Sequence, residues 1–137
     1  MLREYFIDML KALHYCHKVV KVIHRDIKPD NIMLNHNDVA VLIDFGVSAI
    51  KEGDDDCLTG SNMGTYYFFA PEMFQDQKGK VRGEKTDLWA LGITFYQLLT
   101  GRFPCQDAKD PCHLKELILE REIDFEIIKD KEAREVI

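Results

Sequence analysis

The 137-residue sequence predicts a mainly α-helical domain with one small β-hairpin. Three observations lead there: an apolar stripe of helical period near the N-terminus, an apolar stretch from Leu88 to Tyr96, and two short apolar runs flanking a turn-rich quartet.

Leu2, Phe6, Met9, Leu10 and Leu13 recur at i, i+4, i+7, i+8 and i+11, which lays them on one face of an amphipathic helix ending near Lys18. The helix leads into the octapeptide HRDIKPDN at 24–31. Ile32-Met33-Leu34 and Val39 to Ile43 then read as the strands of a hairpin, with Asn35-His36-Asn37-Asp38 as its turn. From Val47 to Phe69 the composition is polar, with KEGDDD at 51–56 and glycine at 53, 60 and 64, as expected of a loop. Asp54, Asp55 and Asp56 lack the D-x-D-x-D-G spacing and the distal glutamate of a calcium loop, so they read as a solvated acidic tip. Thr86 is placed to cap the next helix, whose body from Leu88 to Tyr96 is apolar nearly all round and is therefore expected to be buried, with Gly101 as its stop. Leu114, Leu117 and Ile118 mark a further helix packed by one face, and another starts at Lys131. No internal repeat or linker divides the chain.

Composition narrows the function classes. Hydrophobic residues make up 46% of the chain, which fits a globular core, and 137 residues suffice for a single domain or a piece of one. The formal net charge is -6 and the 18 basic residues are dispersed, which argues against nucleic acid as a partner. No apolar run approaches the roughly 18 residues of a membrane span, and the first residues carry no signal-peptide pattern, so no membrane partner is expected. Cys16, Cys57, Cys105 and Cys112 form neither a C-x-x-C pair nor a dense framework, which suits reduced thiols in the cytosol or nucleus. His14, Cys16 and His17 crowd one helical turn, but no second ligand pair follows at zinc spacing.

The most informative residues are HRDIKPDN at 24–31, then Asp44-Phe45-Gly46 starting 18 positions after Asp26, then Ala70-Pro71-Glu72, then Asp87-x-Trp89-x-x-Gly92. Each alone is ordinary turn or helix sequence. In this order they resemble the catalytic loop, metal-binding triplet, activation-segment end and central helix of the eukaryotic protein kinases, and the resemblance covers nearly the whole chain. It implies a kinase C-terminal lobe as residues 1–137, with an activation segment at 44–72. Lys28 resembles the serine/threonine-specific kinases, and DFGVS with SNMGTYYFFAPE resembles the calcium/calmodulin-dependent kinases and kinase kinases.

The resemblance implies roles residue by residue. Phosphoryl transfer has a loose transition state, so positioning and charge neutralisation supply most of the catalysis. Asp26 would orient the acceptor hydroxyl, Lys28 would reach the γ-phosphate, and Asn31 and Asp44 would offer hard oxygens to Mg2+ beside ATP. His24, Thr65, Glu72 and Asp87 would support them, Asp87 by holding the catalytic-loop backbone; a simpler reading makes Asp87 an acid favoured in the first turn of its helix. Arg25 would bind a phosphate placed on Ser61, or on Thr59, by an upstream kinase or regulator; a simpler reading pairs Arg25 locally with a carboxylate. Gln97 stands where basophilic members carry an acid, and Asp30 is available to a basic substrate. The protein partner would be a substrate with a Ser/Thr acceptor. The sequence has no G-x-G-x-x-G and no V-A-I-K-like strand ahead of the first helix, so the nucleotide-covering N-lobe is expected to be absent and the polypeptide to be a fragment or truncated product. Glu72 is then expected as a buried carboxylate without the arginine that usually pairs with it. Two functions stay open: an active Ser/Thr kinase seen through its catalytic lobe, or a non-catalytic remnant or pseudokinase used for docking.

Overall fold

Good helix formers with no glycine or proline carry the first helix, α1 (Leu2–His14), whose Glu4 in the first turn and Lys11 and His14 in the last match the helix dipole. The computed structural model describes residues 1–46, 48–50, 57–59, 66–75 and 80–137, with the backbone alone at 49–50, 57–59 and 80–82. Phe6, Met9 and Leu13 are buried, as the stripe predicts. The helix does not simply stop near Lys18. It widens into a π turn (Tyr15–Val20) that closes at Lys21, whose backbone is left-handed (φ 62°) and whose N–H donates to the Cys16 carbonyl. That turn carries His17 into the interior.

Two antiparallel ladders then set the geometry of the centre. The first pairs β1 (Val22–Ile23) with β4 (Ala49–Ile50), and the second pairs β2 (Ile32–Leu34) with β3 (Ala40–Leu42). The connection from β1 to β2 therefore runs beside the connection from β3 to β4, and these are the segments that hold HRDIKPDN and Asp44-Phe45-Gly46. The hairpin β2–β3 is the expected one, its second strand shorter than the apolar run. The turn is fixed by Asn35, whose side-chain oxygen accepts from the amides of Asn37 and Val39.

The stretch from 47 to 69, expected as loop, is more ordered where it is described. Besides β4 it contains β5 (Cys57–Thr59), which pairs with β6 (Lys80–Arg82), and a 3-10 turn at Tyr66–Phe68. Extended backbone there finds partners far away in sequence, which local composition does not report. The short helix α2 (Pro71–Gln75) follows.

The buried helix α3 runs over Gly83–Thr100. It starts three residues before Thr86, so Thr86 does not cap it; the hydroxyl donates to the Gly83 carbonyl at 2.7 Å. Thr94 and Thr100 donate likewise to Ala90 and Tyr96, so each hydroxyl is satisfied within the helix. Ala90, Leu91, Ile93 and Phe95 meet α1, β3 and Phe68 in one core, with the Phe95 ring edge-on to Phe6 at 4.8 Å. Burial of side chains such as Met9, Leu13 and Leu91 stabilises the fold by roughly 1.5–3 kcal/mol each. Leu88 and Leu98 are exposed, so the helix is not covered on every side. Gly101 ends it at φ 70°, the left-handed conformation open to glycine. Two helices complete the chain: α4 (Pro111–Glu120), capped by Asp110 and buried through Leu114, and α5 (Lys131–Val136), capped by Asp130. No helix among the described residues is long and apolar enough to cross a membrane.

Candidate functional site

The loop at 24–31 is held from below by one carboxylate. Asp87, on α3 and 1% exposed, accepts from the backbone N–H of His24 at 2.9 Å and of Arg25 at 2.8 Å, and from His17 Nε2 at 2.8 Å. Asp87 is the fifth residue of its helix, beyond the first turn where a dipole preference acts, so its position follows from the loop it holds. Three donors on two oxygens satisfy a charge that would otherwise be costly to bury. Arg25 is forced into a left-handed backbone (φ 68°), a conformation that persists only where the surroundings impose it.

His24 is fully buried and joins the two connections. Its Nε2 bonds the Ile43 carbonyl at 2.9 Å, its Nδ1 accepts from the Asp26 N–H at 3.2 Å, and its ring stands edge-on to Phe45 at 4.7 Å. These contacts fit the Nε2–H tautomer, and they tie the residue before Asp44 to the residue before Arg25.

Around Asp26 three groups converge. Asn31 Nδ2 donates to the Asp26 carbonyl at 2.7 Å and to Asp26 Oδ2 at 3.0 Å, while Lys28 Nζ stands 3.4 Å from the same Oδ2. Asp26 Oδ1 accepts no bond from the described residues. Asn31 has both amide hydrogens committed to Asp26, and its Oδ1 accepts no bond from the described residues. The Ile43 N–H donates to the Asn31 carbonyl at 2.9 Å, so the start and end of the hairpin lie side by side. Asp44 follows at φ 58°, exposed, with Oδ1 accepting from the Gly46 N–H at 3.1 Å. A side chain at 46 would put its Cβ 3.0 Å from that oxygen, so glycine leaves the carboxylate its room.

Asp26, Lys28, Asn31, His24 and Asp87 are thus brought together, with Asp44 at the adjoining turn. Glu72 is not part of this cluster. It is exposed on α2, so its carboxylate is solvated and bears no burial penalty, contrary to expectation. Ser61, Thr65 and Asp54 to Asp56 lie outside the described residues, and Thr59 is described only as a backbone position in β5. His17 was not anticipated as part of the site. Its signal is in the stripe: His17 continues Phe6, Met9 and Leu13 at i+4, and a histidine on a buried face needs a polar partner. Among the described residues Cys16, Cys105 and Cys112 are free thiols, and burial pushes Cys16 and Cys105 above the ordinary thiol range.

The sequence model of the protein kinase domain matches residues 1–136, so the chain belongs to the protein kinase domain family. The chain is 40% identical over 102 residues to a probable serine/threonine-protein kinase of Dictyostelium discoideum, covering 74% of this chain and 14% of that protein. It is 35% identical over 105 residues to the calcium/calmodulin-dependent protein kinase kinase cmkC of Emericella nidulans, covering 77% and 20%. A probable serine/threonine-protein kinase, the KIN1 homolog of Encephalitozoon cuniculi, is 36% identical over 135 residues, covering 98% and 23%. The chain therefore spans less than a quarter of each of these three relatives.

Proposed function

We propose that these residues form the C-terminal catalytic lobe of a serine/threonine protein kinase that transfers the γ-phosphoryl of ATP to a protein hydroxyl. The observation that carries this reading is the convergence of Lys28 and Asn31 on one Asp26 oxygen while the other is left without a partner among the described residues. In this reading Asp26 Oδ1 accepts the hydrogen bond of the substrate hydroxyl. The hydroxyl oxygen bonds to the γ-phosphorus, the bond from that phosphorus to the β–γ bridging oxygen breaks, ADP leaves, and the proton passes late to Asp26. Lys28 offsets charge on the transferred group.

The donor set fits a small hard dication. Asn31 Oδ1 and the second oxygen of Asp44 accept no bond from the described residues, and amide and carboxylate oxygens are what Mg2+ takes. When bound, Mg2+ would neutralise charge across the β- and γ-phosphates. In the same reading 44–72 is the activation segment, and Arg25 binds a phosphate that an upstream kinase places on Ser61 or Thr59. Likeness to a calcium/calmodulin-dependent kinase kinase supports that group, and the dispersed cysteines suit a cytosolic or nuclear setting.

The test uses a protein that carries these residues together with a nucleotide-covering lobe, assayed for transfer from ATP to Ser, Thr and Tyr peptides. Transfer to Ser or Thr is expected, lost in Asp26→Asn with nucleotide affinity nearly unchanged, whereas Asp44→Asn weakens Mg-ATP binding along with turnover. Ser61→Ala with Thr59→Ala is expected to lower activity several-fold in the same assay. Full transfer by Asp26→Asn would sink the role given to Asp26, and no transfer by the parent would favour a non-catalytic docking domain.

A further inference from the structure

The hairpin β2–β3 is entered at Asn31 and left towards Asp44 at its open end, yet among the described residues it is a ladder of two strands only. Isolated two-stranded hairpins are marginal in water, and a slip of one residue turns every side chain to the opposite face. Here a slip would expose Ala40 and Leu42 and turn Val39 and Val41 inward. Asp44 would move by about 3.3 Å along the strand. The turn at Asn35 and the buried face of β3 favour this register, and contacts from outside the ladder reinforce it.

Two polar groups of α1 are placed to do so. The ladder bonds Ile43 N to the Asn31 carbonyl and Asn35 N to the Val39 carbonyl, so by the antiparallel alternation the Ala40 N–H points away from β2. It donates instead to Asp8 Oδ2 at 3.2 Å. One turn earlier on the same helix, the Tyr5 hydroxyl donates to Asp38 Oδ1 at 2.7 Å, at the turn residue with φ 60°. Tyr5 and Asp8 stand at i and i+3, on one side of α1, and so grip two successive points of the hairpin. Burial of Ala40 and Leu42 in the core shared with Phe6, Met9 and Leu13 already opposes a slip of one residue, and the two hydrogen bonds add a directional constraint to it.

We propose that Tyr5 and Asp8 are positioning residues for Asp44: by holding the turn and the outward amide of Ala40, they reinforce the strand register that delivers Asp44 to Asn31. This rests on the reading of Asp44 and Asn31 as metal ligands, and it deepens that reading by tracing their alignment to the first helix.

The experiment uses the 137-residue chain, with amide hydrogen exchange followed residue by residue and Mn2+ alone added as a paramagnetic probe. The variants are Asp8→Ala, which removes the acceptor, Asp8→Asn, which keeps one, and Tyr5→Phe, which removes the donor. Exchange at Ile43 and Gly46 is expected to rise at least about tenfold in Asp8→Ala and Tyr5→Phe, while exchange at Leu91 and Thr94 in α3 stays as in the parent. Asp8→Asn is expected to restore the parent pattern. Unchanged exchange at Ile43 and Gly46 in both Asp8→Ala and Tyr5→Phe, or a rise shared equally with α3, overturns the proposal. Mn2+ is expected to broaden Asn31 and Asp44 together in the parent and less in the two disrupting variants. Absence of broadening in the parent overturns the metal reading alone, because the exchange data still judge the register.

Discussion

Asp87 shows how much one side chain can carry. It serves three donors from two other elements, and its replacement by alanine leaves the amides of His24 and Arg25 and the His17 ring without an acceptor in a buried place. Each such orphan costs about 1–3 kcal/mol, so Asp87→Ala is expected to destabilise the chain by about 3 kcal/mol or more in denaturant titration. A loss below about 1 kcal/mol would mean that water replaces the carboxylate freely. The sequence made Asp26, Asn31, Asp44 and Asp87 legible because their spacing within motifs is itself the signal. It did not make His17 legible, because the partner lies 70 residues away and only the fold brings them together. For Glu72 the motif misled about burial, which depends on what packs over α2 and which no local pattern states.

At the level of elements, the clamp between α1 and the hairpin titrates. The hydrogen bond to the Asp38 carboxylate, before lesser effects of desolvation and nearby acids, raises the Tyr5 phenol above the ordinary 10.0. A raised value means that the folded state holds the proton more tightly, so the contact is in place at neutral pH and is lost as pH climbs through the Tyr5 midpoint. In a ring-resonance titration Asp38→Asn is expected to bring that midpoint down; an unmoved midpoint would remove Asp38 as the cause. Helices were read from sequence with boundaries a few residues off, since apolar period locates a body better than an end. The α1 stripe gave Phe6, Met9 and Leu13 but not the π turn, which continues the helix with no break in the side-chain pattern to announce it. The ladders β1–β4 and β5–β6 were not legible because two- and three-residue strands carry too little period to stand out.

On the scale of the whole molecule, the hairpin presents one exposed apolar face to solvent: Met33 and Val41 face each other in register and are 58% and 39% exposed, with Val39 on the same face. A contiguous apolar patch of this kind favours association in water. The 137-residue chain is expected to scatter light in a concentration-dependent way, and Met33→Lys with Val41→Thr to reduce that scattering while leaving the circular dichroism unchanged. Scattering equal to the parent would place the sticky surface elsewhere. Family membership was legible from four short motifs, since they sample the chain from its first third to its last.

The bonds from Asp87 to His24 and Arg25 also close a polymer loop, spanning 63 and 62 residues. Closure entropy grows only with the logarithm of loop length, so adding twenty residues inside it would cost about 0.25 kcal/mol. Against the three bonds that Asp87 receives, that is a small debit. The length of the intervening chain is therefore thermodynamically almost free to drift, while the register between the 24–31 loop and α3 stays where one carboxylate puts it.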